Sequence, residues 1–289
     1  MTQTAISDRH RLRALEIWGG NDQTCDRLSV PGFDMQVLSQ PYQGSEGGDL
    51  RFVSTCAMGN IVRFTLADIA GHGATVSDTA LHLRDMMRKH MNKPNPTKFA
   101  QALNHEFTRL QKDGIFATAV ICTYFAPTDH LIVCNAGHPR PLFYSATDKR
   151  WLLLDQDTPG HLSQDHATDA GVGNLPLGII SETTYPQFAI HLNPGDIVIP
   201  YTDALIEASD AQGSALGEQG LLELAGKLDP TKPDGLDTSL AELVADHRAG
   251  KAADDDVSVL VLYHNGSNPP KMALGERLKV LGRMVGFMK

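Results

Sequence analysis

A chain of 289 residues, 42% hydrophobic and 20% charged, has the make-up of a globular protein with length for one large core or two small ones. Its formal net charge of −9 and pI near 5.7 argue against a nucleic-acid backbone as the main partner. Met1 to Ala14 lacks an apolar core of signal-peptide length, and no apolar stretch nears the roughly 18 residues of a membrane span, so a soluble cytoplasmic protein is expected.

The first thirty residues read as an extension, with a short helix over Arg9 to Trp18 closed by Gly19-Gly20 and a turn at Pro31-Gly32. Phe33 to Ser39 alternates as a strand. A polar loop then leads through Gly47-Gly48-Asp49 into a second strand, Leu50 to Cys56. Gly59-Asn60 reads as a hairpin turn returning the chain along Ile61 to Leu66, which ends in Asp68-Ile69-Ala70-Gly71-His72-Gly73. The hairpin brings Asp49 near Asp68, because the start of one strand faces the end of its antiparallel neighbour. A carboxylate at a strand end, before a glycine-flanked turn, suits hard oxygen ligation of Mg²⁺ or Mn²⁺. Taken alone, the stretch Leu66 to Gly73 fits an ordinary strand-to-helix turn equally well.

Val76, Ala80, Leu83 and Met87 mark one face of a helix over about Ala74 to Met91. A second helix follows Pro94 and Pro96, with Thr97 as its cap and Phe99, Leu103, Phe107 and Leu110 on its buried side. Strands are expected at Phe116 to Tyr124, Leu131 to Cys134, Leu142 to Tyr144 and Trp151 to Leu154. Cys25, Cys56, Cys122 and Cys134 form no CxxC pair, and the last three lie in strand-like runs, so buried free thiols are expected. Residues 155–174 are polar and weakly patterned, as in a long mobile loop.

Tyr185 to His191, the turn Asn193 to Asp196, and Ile197 to Tyr201 form another hairpin, with Thr202-Asp203 at its end. Helices over Leu216 to Lys227 and Leu236 to His247 precede a last strand, Val257 to Tyr263, which starts after Asp254-Asp255-Asp256. The order of elements is not the regular alternation of a doubly wound parallel fold; two packed antiparallel sheets with helix pairs outside fit it better. After the linker Ser267 to Pro270, the tail carries Leu274, Leu278, Leu281, Val285 and Met288 at helical spacing among basic residues. Packing back on the domain or on a partner subunit is the favoured reading for 272–289; a peripheral contact with the inner membrane face or an acidic partner is the sharper one.

Gly47-Gly48-Asp49, Asp68 to Gly73, Phe116-Ala117-Thr118, Asn135 to Pro139, Pro176-Leu177-Gly178, Pro194-Gly195-Asp196, Tyr201-Thr202-Asp203 and Asp255-Asp256-Val257-Ser258 stand in order. Together they resemble the metal-dependent protein phosphatase 2C superfamily, in its bacterial sigma-factor-regulator and stage II sporulation branch, from about Phe33 to Tyr263. The resemblance implies an α-β-β-α sandwich of two mainly antiparallel sheets with a two-metal site between them. It divides the chain into an extension (1–32), a phosphatase domain (33–265) and a linker with an amphipathic helix (266–289). It further implies two Mn²⁺ or Mg²⁺ ions held by Asp49, Asp68, the Ile69 carbonyl, Asp203 and Asp255, with Asp68 bridging both and His72 protonating the leaving oxygen. The activity implied is hydrolysis of phosphoserine or phosphothreonine in a protein such as a phosphorylated anti-sigma-factor antagonist. A pseudophosphatase that binds a phosphoprotein without turnover is the alternative. Departures from the family pattern are Leu50-Arg51-Phe52, which leaves Arg51 as a phosphate contact, and Ala204 in place of a glycine after Asp203.

Overall fold

The computed structural model describes residues 10–12, 16–71, 74–110, 114–158, 161–163, 173–267 and 272–286. The chain begins with strands β1 (His10–Arg11), β2 (Ile17–Asp22), β3 (Thr24–Val30), β4 (Phe33–Gln40), β5 (Glu46–Cys56) and β6 (Ile61–Ile69). Helices α1 (Ala74–His90) and α2 (Pro96–Leu110) follow, then β7 (Ala117–Phe125), β8 (His130–Ala136), β9 (Leu142–Ser145) and β10 (Arg150–Leu153). Next come β11 (His161–Ser163), β12 (Gln187–His191), β13 (Ile197–Ile199), α3 (Gly217–Ala225), α4 (Leu236–His247), β14 (Val257–His264) and α5 (Leu274–Val285).

A front sheet runs β1-β3-β4-β14-β13-β9-β10 and a back sheet β11-β12-β8-β7-β6-β5-β2. Among the described strands only β1 and β3 pair in parallel. Alternation along each strand divides the side chains into layers. Phe33, Met35 and Val37 of the front sheet meet Val62, Phe64, Leu66 and Val120 of the back sheet in a core between the sheets. Leu50, Phe52, Ala67 and Ile69, on the other face of the back sheet, pack against Val76, Leu83 and Met87 of α1 and Phe99, Leu103 and Phe107 of α2. Ile197, Ile199, Val259 and Val261 pack likewise against Leu221 of α3 and Leu240 and Val244 of α4. The result is the expected α-β-β-α sandwich, with apolar cores between its layers.

Several local expectations are corrected. In place of a helix over Arg9 to Trp18, the described residues form β1 and the start of β2, which pairs along β5 through Ile17 with Ser54 and Trp18 with Val53. Gly19 allows that approach, since a Cβ there would lie 2.1 Å from the Arg51 carbonyl oxygen. The stretch read as an extension therefore supplies strands to both sheets, β3 pairing with β4 across the Pro31-Gly32 turn. The turn between β5 and β6 is a short 3-10 segment, Ala57–Gly59, one step earlier than Gly59-Asn60.

Thr97 is not the cap of α2. Asn95 accepts the Lys98 amide at 2.9 Å through Oδ1, while Thr97 donates to the Tyr185 carbonyl at 2.7 Å. Pro96 starts the helix, so the capping position falls one residue before it. In the stretch expected as a loop, β11 pairs with β12; residues 159–160 and 164–172 lie outside those described. Cys122 and Cys134 are buried free thiols, Cys56 is half-buried and Cys25 exposed.

The tail helix packs back on the domain. Met284 and Val285 of α5 are buried against Ile61, Phe125, Ile132 and Ala189, on the part of the back sheet's helix-facing surface next to α2. The Met284 carbonyl accepts from Asn95 Nδ2 at 2.7 Å and from Gln187 Nε2 at 2.8 Å. Leu274 and Leu278, expected on the same stripe, are exposed. Met288 and the last residues of the tail lie outside those described. No helix among the described residues is long and apolar enough to cross a membrane.

Candidate metal centre

In the β5–β6 hairpin, Leu50 pairs with Ala67, and both face the helices. Asp49 and Asp68, of opposite parity, therefore turn into the space between the sheets at the open end of the hairpin. Asp68 pairs in turn with Thr118 on β7. The front sheet brings its own carboxylates to the same end. β13 and β14 are antiparallel, so the end of one lies beside the start of the other. Tyr201 bridges Val259, a 3-10 turn opens at Asp203, and Asp255 and Asp256 immediately precede β14.

The electrostatics show that these groups share one field. Burial first, then the charges of Asp203, Asp255, Asp256 and Glu207, push the Asp68 carboxyl up to about 7. Burial, Glu207 and Asp255 push Asp203 up to about 6. Asp49 is held well above the usual carboxylate range by burial and by Asp68, against hydrogen bonds from Ser258 and Thr202. Asp49 is also 2% exposed, and its Oδ1 has no hydrogen-bond partner. A buried carboxylate oxygen without a donor, inside a cluster of mutually repelling carboxylates, is what a divalent cation would relieve; the donor set is all oxygen, as Mg²⁺ or Mn²⁺ prefers. The residues therefore fit such ions. Among the described residues no three His, Cys, Asp or Glu side chains close around one point as they stand.

Of the residues expected at the site, Asp49, Asp68, Asp203 and Asp255 are brought into one cluster. The Ile69 carbonyl lies alongside: a Cβ on Gly48 would sit 3.0 Å from it and 2.8 Å from Val76. His72 lies outside the described residues. Arg51 is not a free phosphate contact. It is 1% exposed and donates to the Asp22 carbonyl and to Asp22 Oδ1, each at 2.8 Å. His138 is buried, with Nδ1 2.8 Å from Thr118 Oγ1, and burial pulls its pKa down to about 3, so it stays neutral beside the cluster.

Three residues at the site were assigned no role from the sequence. Glu207, one turn beyond Asp203, adds to the negative field, and its spacing of four was the available signal. Thr202 donates to Asp49 Oδ2 at 2.9 Å. Asp256 accepts the Gly48 amide at 2.5 Å; of three consecutive aspartates, sequence reasoning used only one.

Residues 59–265 match the family described as Stage II sporulation protein E (SpoIIE). The chain is 23% identical to phosphoserine phosphatase RsbU of Bacillus subtilis (strain 168) over 203 residues, 69% of this chain and 55% of that protein, so it spans about half the length of that relative. The fold is similar to the RsbU and RsbW domains of Rv1364c from Mycobacterium tuberculosis, with TM-score 0.65 and 19% identity over 93% of this chain and 70% of that one. It is also similar to the PP2C phosphatase domain of SpoIIE from Bacillus subtilis, solved with a fragment of its regulatory domain. There the TM-score is 0.63 and the identity 15%, over 87% of this chain and 64% of that one.

Proposed function

The chain belongs to the stage II sporulation protein E family, and from that premise we propose that it is a metal-dependent protein-serine/threonine phosphatase. The observation that carries this reading is the partnerless Asp49 Oδ1 within the cluster of Asp68, Asp203 and Asp255. Asp49, Asp68, the Ile69 carbonyl, Asp203 and Asp255 would hold two Mn²⁺ or Mg²⁺ ions. When bound, these ions supply an acidified water and neutralise phosphoryl oxygens.

The rest is the work of the chain's own residues. Phosphate monoesters are among the slowest esters to hydrolyse, with barriers that enzymes lower by roughly 20 kcal/mol or more. A positioned acid or base supplies only about 3–5 kcal/mol of that, so holding the oxygens in register is the larger task. The two sheets perform it by presenting Asp49 and Asp68 from one hairpin and Asp203 and Asp255 from the facing strand ends. His72, four residues after Asp68, would return a proton to the leaving seryl or threonyl oxygen. His138 cannot share that role near neutral pH, because burial keeps it uncharged.

The substrate read from the relatives is a phosphorylated regulatory protein, of the kind an anti-sigma-factor antagonist represents. A relative named as a phosphoserine phosphatase and a similar structure that joins RsbU and RsbW domains support this choice. All four carboxylates are present, which favours turnover over a pseudophosphatase. The test is phosphate release from a phosphoserine peptide and from p-nitrophenyl phosphate with Mn²⁺, Mg²⁺ or EDTA. Release is expected with metal and not with EDTA. No release with either ion, in protein that binds Mn²⁺, refutes the phosphatase reading.

A further inference from the structure

Each front-sheet carboxylate of the cluster has a chain neighbour turned toward the back sheet. Thr202, which precedes Asp203, is fully buried; its hydroxyl donates to Asp49 Oδ2 at 2.9 Å and accepts the Ser258 amide at 2.9 Å. Asp256, which follows Asp255, accepts the Gly48 amide at 2.5 Å on Oδ2 and the Tyr42 amide at 2.6 Å on Oδ1, with a longer contact to the Asp49 amide at 3.4 Å. One neighbour grips the Asp49 side chain and the other grips the backbone that carries it.

We infer that Thr202 and Asp256 are positioning residues: a clamp across the two sheets that sets the back-sheet pair, Asp49 and Asp68, against the front-sheet pair, Asp203 and Asp255. This deepens the metal-site reading above and rests on it for its consequence, though not for its geometry. The β-ladders cannot set that spacing, because β5 and β14 belong to different sheets and share no ladder. Apolar packing between sheets is non-directional, whereas hydrogen bonds to a carboxylate are short, directional and charge-assisted. The clamp also explains Gly47, where a Cβ would lie 2.3 Å from Asp256 Oδ2. It further determines which oxygen of Asp49 is available, since Thr202 occupies Oδ2 and Oδ1 remains without a partner.

Residues that orient ligands without touching the ion typically carry about 10- to 100-fold of metal affinity. The experiment compares Thr202→Val, Thr202→Ser, Asp256→Ala and Asp256→Asn with the wild type. The readouts are calorimetric Mn²⁺ titration, Mn²⁺-dependent thermal shift, and amide hydrogen exchange at Gly48. Thr202→Val and Asp256→Ala should bind Mn²⁺ at least about tenfold more weakly. Thr202→Ser, which keeps the hydroxyl, should restore affinity, and Asp256→Asn, which keeps one acceptor oxygen, should fall between. Gly48 exchange should accelerate in both Asp256 variants with EDTA present. If Asp256→Ala fails to fold, Asp256→Asn and the two Thr202 variants decide. Folded Thr202→Val with wild-type Mn²⁺ affinity, or unchanged Gly48 exchange in the Asp256 variants, overturns the clamp. If the wild type itself shows no Mn²⁺ response, the phosphatase reading falls, while Gly48 exchange still decides the clamp.

Discussion

Replacing Asp68 by asparagine should make the metal-free protein more stable while abolishing its response to metal. The folded-state pKa of Asp68 is raised to about 7 from an ordinary 3.8, by burial and by the neighbouring carboxylates. Between about pH 4 and 7 the folded protein therefore binds more protons than the unfolded chain, so stability falls as pH rises through that window. A shift of this size corresponds to a destabilisation on the order of 4 kcal/mol above pH 7. An asparagine is nearly isosteric and carries no charge at any pH in that range. In EDTA at pH 8, Asp68→Asn should gain roughly 2–4 kcal/mol, or about 5 °C in Tm for a chain of this length. At pH 4.5, where Asp68 is protonated in the folded wild type but mostly ionised in the unfolded chain, the gain should shrink to about 1 kcal/mol. Mn²⁺ should raise the Tm of the wild type and leave the variant unmoved, and phosphate release should fall at least about a hundredfold. Calorimetry at the two pH values, with and without Mn²⁺, reads all of this. A variant less stable than wild type in EDTA at pH 8, or one that keeps more than about a tenth of wild-type turnover, refutes the reasoning.

The wild type in EDTA should lose Tm steadily from about pH 5 to 8, through the raised pKa values of Asp203 (about 6) and Asp68 (about 7), and saturating Mn²⁺ should flatten that slope; a flat profile in EDTA would contradict the repulsion. Arg63 is 2% exposed and donates to the Met91, Lys93 and Pro94 carbonyls at 3.3, 2.5 and 3.3 Å beyond the end of α1, with Phe99 4.0 Å away. Arg63→Met should therefore cost about 2–4 kcal/mol in urea titration, through carbonyls left without donors. A chain ending at Asn268 loses the burial of Met284 and Val285, which contribute about 1.5–3 kcal/mol each; its Tm should drop by several degrees with kcat on p-nitrophenyl phosphate within about twofold. The full chain should stay in the supernatant with anionic vesicles, because α5 turns its buried face to the sheet, and co-sedimentation would reverse that reading.

What the sequence determined by itself was what repeats over short distances. The alternation of Ile61 to Leu66 and the i, i+4 spacing from Val76 mark a strand and a helix. Asp49, after Gly47-Gly48, and Asp68, before a turn with Gly71 and Gly73, fall on one hairpin, whose register follows from the turn that joins its strands. Asp203 and Asp255 were legible through the motifs that carry the family resemblance, one just after a strand and the other just before one. Only the tertiary structure decided what depends on partners far away in the chain. Residues 17–22 carry glycines and a tryptophan that suit several conformations, and pairing with β5 made them a strand. Asn95 rather than Thr97 caps α2, because Thr97 was drawn to Tyr185, 88 residues later. The tail has an apolar stripe in sequence, but contact with Ile61, Phe125 and Ile132 decided which of its residues are buried and left Leu274 in solvent. Thr202 reaches Asp49 across 153 positions and Asp256 reaches Gly48 across 208. No local period reports contacts at such separations; packing two sheets face to face brings them together, and with them the order of the carboxylate cluster.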